Sequence, residues 1–124
     1  METILLVEDE PAVRTLAARV LKRAGYEVCE AGDGLEACKF FKDHAREIDL
    51  VLMDVIMPKM GGRDAYENMV KTRSDVPVIF CSGYSGNELG ADFLESHRAD
   101  LLPKPYRPEE LLTRIKERLH PHHS

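Results

Sequence analysis

The sequence is poor in the features that define disulfide-rich, zinc-binding and membrane-spanning proteins. It contains no tryptophan and three cysteines, and Cys29, Cys38 and Cys81 lie too far apart for any familiar zinc spacing. Three cysteines cannot all pair, so we expect a reduced, cytoplasmic compartment. Apolar runs such as residues 4–7 are far shorter than the ~20 residues that cross a bilayer. The first residues do not resemble a signal peptide, and no membrane contact is expected.

Basic residues are also too few and too dispersed for a general nucleic-acid surface. The chain has 17 Lys and Arg against 22 Asp and Glu, a formal net charge of -5. We therefore expect no direct contact with nucleic acid. A chain of 124 residues, 44% of them apolar, suits one domain with a substantial core. We place this domain at residues 1–119, followed by a frayed His-rich tail at residues 120–124.

Short apolar or β-branched segments alternate along the chain with segments whose apolar residues recur every three or four positions. The predicted strands are residues 3–7, 26–31, 50–53, 76–81 and 101–102. Helices are predicted after Pro11, after the glycine turn at residues 32–34, up to Thr72, within residues 82–96 and after Pro108. This alternation predicts an α/β fold, a doubly wound (βα)5 flavodoxin-like domain with a parallel five-stranded sheet of order 2-1-3-4-5.

The helical periodicity also predicts which side chains face the sheet. In the first helix these are Val13, Leu16, Ala17, Val20, Leu21 and Ala24. In the second they are Leu35, Cys38, Phe41 and Ala45. In the last they are Leu111, Leu112, Ile115 and Leu119.

Polar side chains follow four of the five predicted strands. Glu8 and Asp9 follow the first, Asp54 the third, Ser82 the fourth and Lys104 the fifth. Sites in such sheets lie at the carboxyl ends of the strands, so we expect these side chains to converge. Each alone is typical of a turn, a cap or a solvated surface. Together they indicate a site.

The residue types of this cluster favour phosphoryl chemistry with a divalent cation. Carboxylates that come close repel one another unless a cation lies between them, and a set of oxygen ligands without Cys or His favours Mg2+ over Zn2+. A carboxylate can act as a nucleophile towards phosphorus, and Asp54, which ends the central strand, is the best candidate. The hydroxyl and the ammonium would then hold the phosphoryl oxygens.

With these residues, the sequence resembles the receiver domain of two-component response regulators. The resemblance extends from Ile4 to Leu119 and rests on "LLVEDEP" after the first strand, "DLVLMDVIMPKMGG" around the third, "VIFCSG" at the fourth and "LLPKPY" at the fifth. Segments 7–37 and 101–106 are also similar to receivers at the carboxyl end of hybrid sensor histidine kinases. The chain has no kinase ATP-binding motif, so we expect a signal acceptor that promotes its own phosphorylation and dephosphorylation and is not itself an enzyme in the usual sense.

The resemblance implies a role for each site residue. Asp54 would accept a phosphoryl group from a phosphohistidine on a histidine kinase or histidine phosphotransfer domain. Asp9, Asp54 and the backbone carbonyl of Ile56 would bind Mg2+, with Glu8 assisting. Ser82 would hydrogen-bond the phosphoryl group and Lys104 would pair with it.

The resemblance also extends to the output side of the domain. A cis peptide bond is expected before Pro105. The phosphate would change a face formed by residues 83–96, the last strand and the last helix, where an unidentified output partner binds.

Two positions depart from the usual receiver pattern. The place of the aromatic switch residue is taken by Leu101, so the usual coupled movement of a ring with Ser82 is in doubt, although Tyr106 follows Pro105. Ile56 and Tyr84 flank the expected phosphoryl group, and we expect these bulky side chains to slow hydrolysis by hindering water.

A dinucleotide-binding fold is a competing hypothesis. Residues 32–37 fit G-x-G-x-x-A, and Asp54 follows about 20 residues later. However, Asp33 and Glu36 would repel a pyrophosphate, and the fingerprint normally follows the first strand of its fold. A tight turn that begins a helix is the preferred interpretation of these residues.

Three further hypotheses use the same fold class or the same nucleophile. A flavin carrier would place its phosphate beside the acidic residues 8–10, which would repel it. A haloacid-dehalogenase phosphatase would need a second Asp where this chain has Ile56. The remaining alternative is a degenerate receiver that folds, is not phosphorylated and acts only as an interaction surface.

Overall fold

The computed structural model describes residues 1–83, Phe93 and residues 100–120. Within them the strands are β1 (Thr3–Val7), β2 (Glu27–Ala31), β3 (Leu50–Asp54), β4 (Val78–Ser82) and β5 (Asp100–Pro103). The helices are α1 (Pro11–Arg23), α2 (Gly34–His44), α3 (Gly62–Thr72) and α4 (Pro108–Leu119). The helix expected within residues 82–96, most of the expected output face, Tyr84 and the tail beyond His120 lie outside the described residues.

The five strands form one parallel sheet in the order β2-β1-β3-β4-β5. This order confirms the predicted doubly wound fold. β1 lies between β2 and β3 and not at an edge, because the chain adds β2 on one side of β1 and then crosses back to add β3 on the other. The carboxyl ends of β1 and β3 are therefore adjacent, with Val7 opposite Met53.

Two apolar cores cover the two faces of the sheet, as the near-continuous apolar strands predict. Side chains alternate between them along each strand, so that Leu5 and Val7 enter one core while Ile4 and Leu6 enter the other. Helices α2 and α3 and Phe93 cover the first core, and α1 and α4 cover the second. The edge strand β2 is less buried.

The predicted apolar faces of α1 and α2 were partly wrong. Leu16 is 61% exposed and Ala24 is exposed, whereas Ala18 is buried. Leu35 is 39% exposed. Leu16 and Leu35 satisfy the three-and-four spacing, but each lies at the margin of a face that is narrower than the pattern suggests. The spacing alone does not define the width of that face.

Two strands begin later in the chain than predicted. β4 begins at Val78 and not at residue 76, and it extends to Ser82. Pro77 has no N–H to contribute to the ladder, although its carbonyl accepts a hydrogen bond of 2.9 Å from the Val51 N–H. β2 begins one residue late, at Glu27, after Gly25 has ended α1 with a φ of 98°.

The glycine turn before α2 has a packing role. The Asp33 carboxylate accepts a hydrogen bond of 2.8 Å from the Glu36 N–H and so caps the helix. A Cβ atom at Gly34 would overlap the backbone carbonyl of Met60 in the loop after β3. Gly34 therefore allows α2 to approach this loop, which supports a tight turn and not a pyrophosphate-binding loop.

Candidate functional site

The turn after β1 places two carboxylates at the carboxyl edge of the sheet. Glu8 is 5% exposed, and its Oε2 accepts a hydrogen bond of 3.1 Å from the Glu10 N–H. The Glu8 N–H donates to the Ala31 carbonyl at 3.1 Å, which joins the turn to the end of β2. Pro11 then begins α1. The Glu8 carboxylate is thus buried and directed by the backbone around it.

Asp54 ends the central strand and is held by its own loop. Its Oδ1 accepts a hydrogen bond of 3.1 Å from the Val55 N–H. The first residue of α3, Gly62, packs against the backbone of Asp54, where an added Cβ would lie 2.5 Å from the Asp54 carbonyl oxygen. The loop after β3 therefore folds tightly under the Asp54 backbone.

Lys104 joins the two strand ends. Its Nζ donates to Glu8 Oε1 at 2.6 Å and to Asp54 Oδ2 at 3.0 Å. Its own backbone N–H donates to the Ser82 carbonyl at 2.7 Å, which attaches the loop after β5 to β4. The Lys104–Pro105 peptide bond is cis, as expected from the sequence.

The ionisation of these groups reflects burial and the single ammonium that they share. Burial raises the pKa of Asp54 to about 6, and Lys104 opposes this rise while Glu8 and Asp9 add to it. Burial would also raise the pKa of Glu8, but the hydrogen bonds from Lys104 and Glu10 outweigh it and lower that pKa. Burial and the neighbouring Glu8 raise the pKa of Asp9.

Lys104 responds in the opposite sense. Burial would lower its pKa, but the hydrogen bonds to Glu8 and Asp54 raise it above its ordinary value. Lys104 is therefore an ammonium throughout the physiological range.

The three carboxylates are close enough to share one cation. Glu8, Asp9 and Asp54 each offer an oxygen, and these oxygens lie within 4.8 Å of one another. The donors are hard oxygens, which suits Mg2+ and does not suit a metal that prefers sulfur or imidazole. The residues present therefore fit a magnesium ion.

The other predicted site residues lie around this cluster. Ser82 ends β4 at the same edge and is 2% exposed. Ile56 is 55% exposed in the loop after Asp54. Tyr106 is partly buried, and burial raises its pKa to about 12. Leu101 lies opposite Phe80 in the β4–β5 ladder, two residues before the end of β5.

Leu101 packs beside a group of three aromatic rings. Phe80, Phe93 and Tyr66 meet edge to face, with centroids 5.5 to 5.8 Å apart. The Arg63 guanidinium lies 5.0 Å from the centroid of the Phe93 ring. The aromatic content of this region thus comes from β4, α3 and Phe93, whereas β5 contributes Leu101.

A groove of about 740 Å3 opens beside the carboxylates, between α1 and the start of α4. One end is lined by Asp9, Asp54 and Lys104, and the other is apolar, with Leu16 at the α1 side and Pro108 at the α4 side. Leu16, which is 61% exposed, thus lines the same groove as Asp54.

A family model supplies the decisive comparison. The model described as "Response regulator receiver domain" matches residues 4–116, which include the complete carboxylate cluster and Lys104. The chain belongs to this family. It is a receiver domain of two-component signalling, as the sequence motifs predict.

Similar proteins come from kinases and from transcriptional regulators. The receiver domain is 39% identical over 117 residues to the sensor kinase CckA of Brucella abortus, covering 94% of this chain and 12% of that protein. It is 37% identical to the probable transcriptional regulator ycf27 of Porphyridium aerugineum, covering 93% of this chain and 47% of the relative. The chain therefore spans about an eighth of the length of the first of these curated relatives and about half the length of the second.

Solved structures agree with this membership. The receiver domain from the hybrid histidine kinase CckA superposes with a TM-score of 0.81 at 40% identity, covering 95% of this chain and 99% of that one. The response regulator TrrA from Thermotoga maritima, solved in complex with Mg2+ and BeF, has a TM-score of 0.80 at 34% identity, covering 94% and 98% of the two chains. Among the described helices of the receiver domain, none is long and apolar enough to span a bilayer.

Sequence reasoning missed two residues that shape the site. Arg14 donates from Nη1 to the Glu8 carbonyl at 2.7 Å, and its place one turn into α1, after the acidic turn, could have indicated this contact. Gly62 packs against the Asp54 backbone, and the sequence signal for this contact is no more than the glycine pair at residues 61–62.

Proposed function

We propose that this receiver domain accepts a phosphoryl group on Asp54, in a Mg2+-dependent step, from a phosphohistidine of a histidine kinase or histidine phosphotransfer domain. The observation that supports this most directly is the position of Asp54, which contacts Lys104 at 3.0 Å and has the carboxylate oxygens of Glu8 and Asp9 within 4.8 Å. This set of groups suits transfer of a phosphoryl group to a carboxylate.

Each side chain has a part in the proposed step. An ionised oxygen of Asp54 attacks phosphorus, the bond from phosphorus to the donor imidazole nitrogen breaks, and that nitrogen keeps the electron pair. Lys104 and the Ser82 hydroxyl then hold the phosphoryl oxygens. Asp9, Asp54 and the carbonyl of Ile56 would hold Mg2+, with Glu8 assisting. The ion would supply charge neutralisation at the phosphoryl oxygens.

The pKa of Asp54 is compatible with this role. A value of about 6 leaves most of the carboxylate ionised at neutral pH and thus available as a nucleophile. The binding of a cation beside it would lower this pKa further.

The cellular setting is proposed from the relatives. Similarity to the kinase CckA supports a place as the receiver of a hybrid sensor histidine kinase in the cytoplasm. Similarity to the probable transcriptional regulator ycf27 supports a place in a response regulator as the alternative. We propose residues 1–119 as the receiver unit. Phosphorylation would alter the face that includes β5 and α4, where an output partner would bind.

The test is the intact mass of the protein after incubation with acetyl phosphate and Mg2+. We expect the gain of one phosphoryl group in the wild-type protein and in Asp64→Asn, which alters an exposed carboxylate in the first turn of α3. No gain is expected in Asp54→Asn or when Mg2+ is omitted. If the wild-type protein gains no mass from acetyl phosphate or from phosphohistidine donors, the domain is a binding module.

A further inference from the structure

Arg14 is the basic side chain that holds the backbone of the acidic turn. Its Nη1 donates to the Glu8 carbonyl at 2.7 Å, and its Nε lies 3.5 Å from Oε1 of Glu30 on β2. The Arg14 side chain is 23% exposed, so both contacts are partly shielded from solvent. Arg14 therefore connects α1, the end of β1 and the edge strand β2.

The turn that Arg14 holds presents two of the three clustered carboxylates, those of Glu8 and Asp9. α1 follows this turn directly, and the Arg14 backbone N–H donates to the carbonyl of its N-cap residue, Glu10, at 2.9 Å. The guanidinium binds the backbone of the turn, while the carboxylate of Glu8 is directed towards Lys104 on the other side. Arg14 thus contacts the backbone that carries the Glu8 carboxylate, whereas the carboxylate itself accepts a hydrogen bond from Lys104.

We propose that Arg14 is a positioning residue for the cation site, holding the turn in the shape that allows Glu8 and Asp9 to bind a divalent ion together with Asp54. This inference rests on the proposed function. It assigns to Arg14 an effect on cation affinity, exerted through the backbone of Glu8.

Two physical effects of Arg14 have opposite signs, and this makes the inference testable. Through charge alone, a guanidinium near three carboxylates weakens the binding of a cation, so its removal would tighten binding. Through geometry, the loss of the hydrogen bond to the Glu8 carbonyl frees the turn and weakens binding. Residues that orient metal ligands typically change metal affinity by roughly 10- to 100-fold when they are replaced. The proposal therefore expects weaker binding, against the sign of the charge effect.

The experiment measures the Kd for Mg2+ by calorimetry, together with the urea midpoint of each variant. Arg14→Met removes the charge and the donors, and its Kd is expected to rise roughly tenfold. Arg14→Lys keeps the charge and one donor group, and its Kd is expected to lie between those of wild type and Arg14→Met. The matched control is Arg19→Met, which removes an exposed arginine from the same helix and is expected to bind Mg2+ as tightly as wild type or slightly more tightly.

The outcomes separate this inference from the proposed function. A wild-type Kd in both Arg14 variants, or tighter binding in Arg14→Met, overturns the positioning role and leaves the receiver function intact. If Arg14→Met does not fold, the Arg14→Lys variant decides in the same way. Absence of Mg2+ binding by the wild-type protein would instead overturn the proposed function, and the inference with it.

Discussion

At the scale of single residues, the main feature of the site is that one ammonium, that of Lys104, contacts two carboxylates. Lys104 approaches Glu8 more closely than Asp54, at 2.6 Å against 3.0 Å. Burial raises the pKa of Asp54 to about 6 against the opposing contact with Lys104, whereas the hydrogen bonds from Lys104 and Glu10 outweigh burial and lower the pKa of Glu8. Asp54 is thus the less stabilised carboxylate of the pair and the one better placed to react.

The raised pKa of Asp54 predicts a stability difference that depends on pH. Protonation of Asp54 favours folding, because its pKa rises from an ordinary value of 3.8 to about 6 in the folded protein. This contribution is complete below pH ~4 and is lost as the pH rises through about 6. Without Mg2+, Asp54→Asn should therefore be more stable than wild type at pH 7, by up to about 3 kcal/mol, and the gain should disappear near pH 4.

Urea unfolding of both proteins at pH 4 and pH 7 measures this difference. Asp64→Asn, which lies outside the carboxylate cluster, should show no comparable change between the two pH values. A lower stability of Asp54→Asn at pH 7 would contradict the penalty that we assign to the buried carboxylate.

Ile56 leads to a second prediction at this scale. Its side chain is 55% exposed and lines the groove beside Asp54, and we expect it to limit the approach of water to a phosphoryl group on Asp54. Ile56→Asn should shorten the lifetime of the phosphorylated protein several-fold, because a smaller polar side chain admits and hydrogen-bonds water. Loss of phosphate after removal of the donor measures the lifetime. An unchanged or longer lifetime would reject the hypothesis.

The clustering of Glu8, Asp9, Asp54 and Lys104 could be predicted from sequence because strand ends of a parallel sheet meet at one edge. The supporting contacts were not predicted. Arg14 and Gly62 act through backbone atoms of Glu8 and Asp54, and neither apolar periodicity nor strand order contains such contacts. The exposure of Leu16 was missed for a related reason, since spacing indicates the centre of a helical face and not its edges.

At the scale of elements, α1 has two faces with different tasks. Ala17, Ala18 and Leu21 are buried against the sheet, whereas Leu16 lies exposed at the margin of the groove. A large apolar side chain at such a margin is a candidate contact for a partner protein. α1 thus links the core to the surface of the groove beside Asp54.

This arrangement predicts that Leu16 matters for protein donors and not for small ones. Leu16→Ser should slow phosphorylation by a phosphohistidine protein about tenfold or more, as loss of a well-packed contact would. Phosphorylation by acetyl phosphate should keep its wild-type rate. The matched control is Leu35→Ser, which alters another exposed leucine, in the first turn of α2. Equal slowing with both donors, or equal slowing in the control, would exclude a docking contact at Leu16.

At the scale of the whole molecule, the sheet couples the site to global stability. Glu8, Asp9, Asp54 and Lys104 lie at or just after the ends of β1, β3 and β5, whose apolar side chains enter the two cores. Like charges held together there oppose folding, and the ordered strands prevent the carboxylates from separating. A ligand that neutralises them should therefore stabilise the complete fold.

Mg2+ should accordingly raise the free energy of unfolding. Mass action gives about 2.7 kcal/mol when the free ion is present at 100 times its Kd. The increment should be much smaller in Asp9→Asn, which removes one carboxylate of the cluster, and should persist in Asp64→Asn. Urea midpoints with and without Mg2+ at constant ionic strength provide the measurement. An equal increment in all three proteins would show that the ion acts elsewhere.

The contact between Lys104 and two of the three clustered carboxylates also determines a formal charge balance. Three carboxylates and one ammonium leave two negative charges uncompensated when all are ionised. A monovalent ion would leave one of these charges unbalanced and a trivalent ion would overshoot, whereas a divalent ion matches them. The number of fixed charges at the site thus favours a divalent ion over a monovalent or trivalent one, independently of coordination geometry. In the cation-free protein, acidification through pH 6 removes one of these charges as Asp54 takes up its proton, and the match is lost.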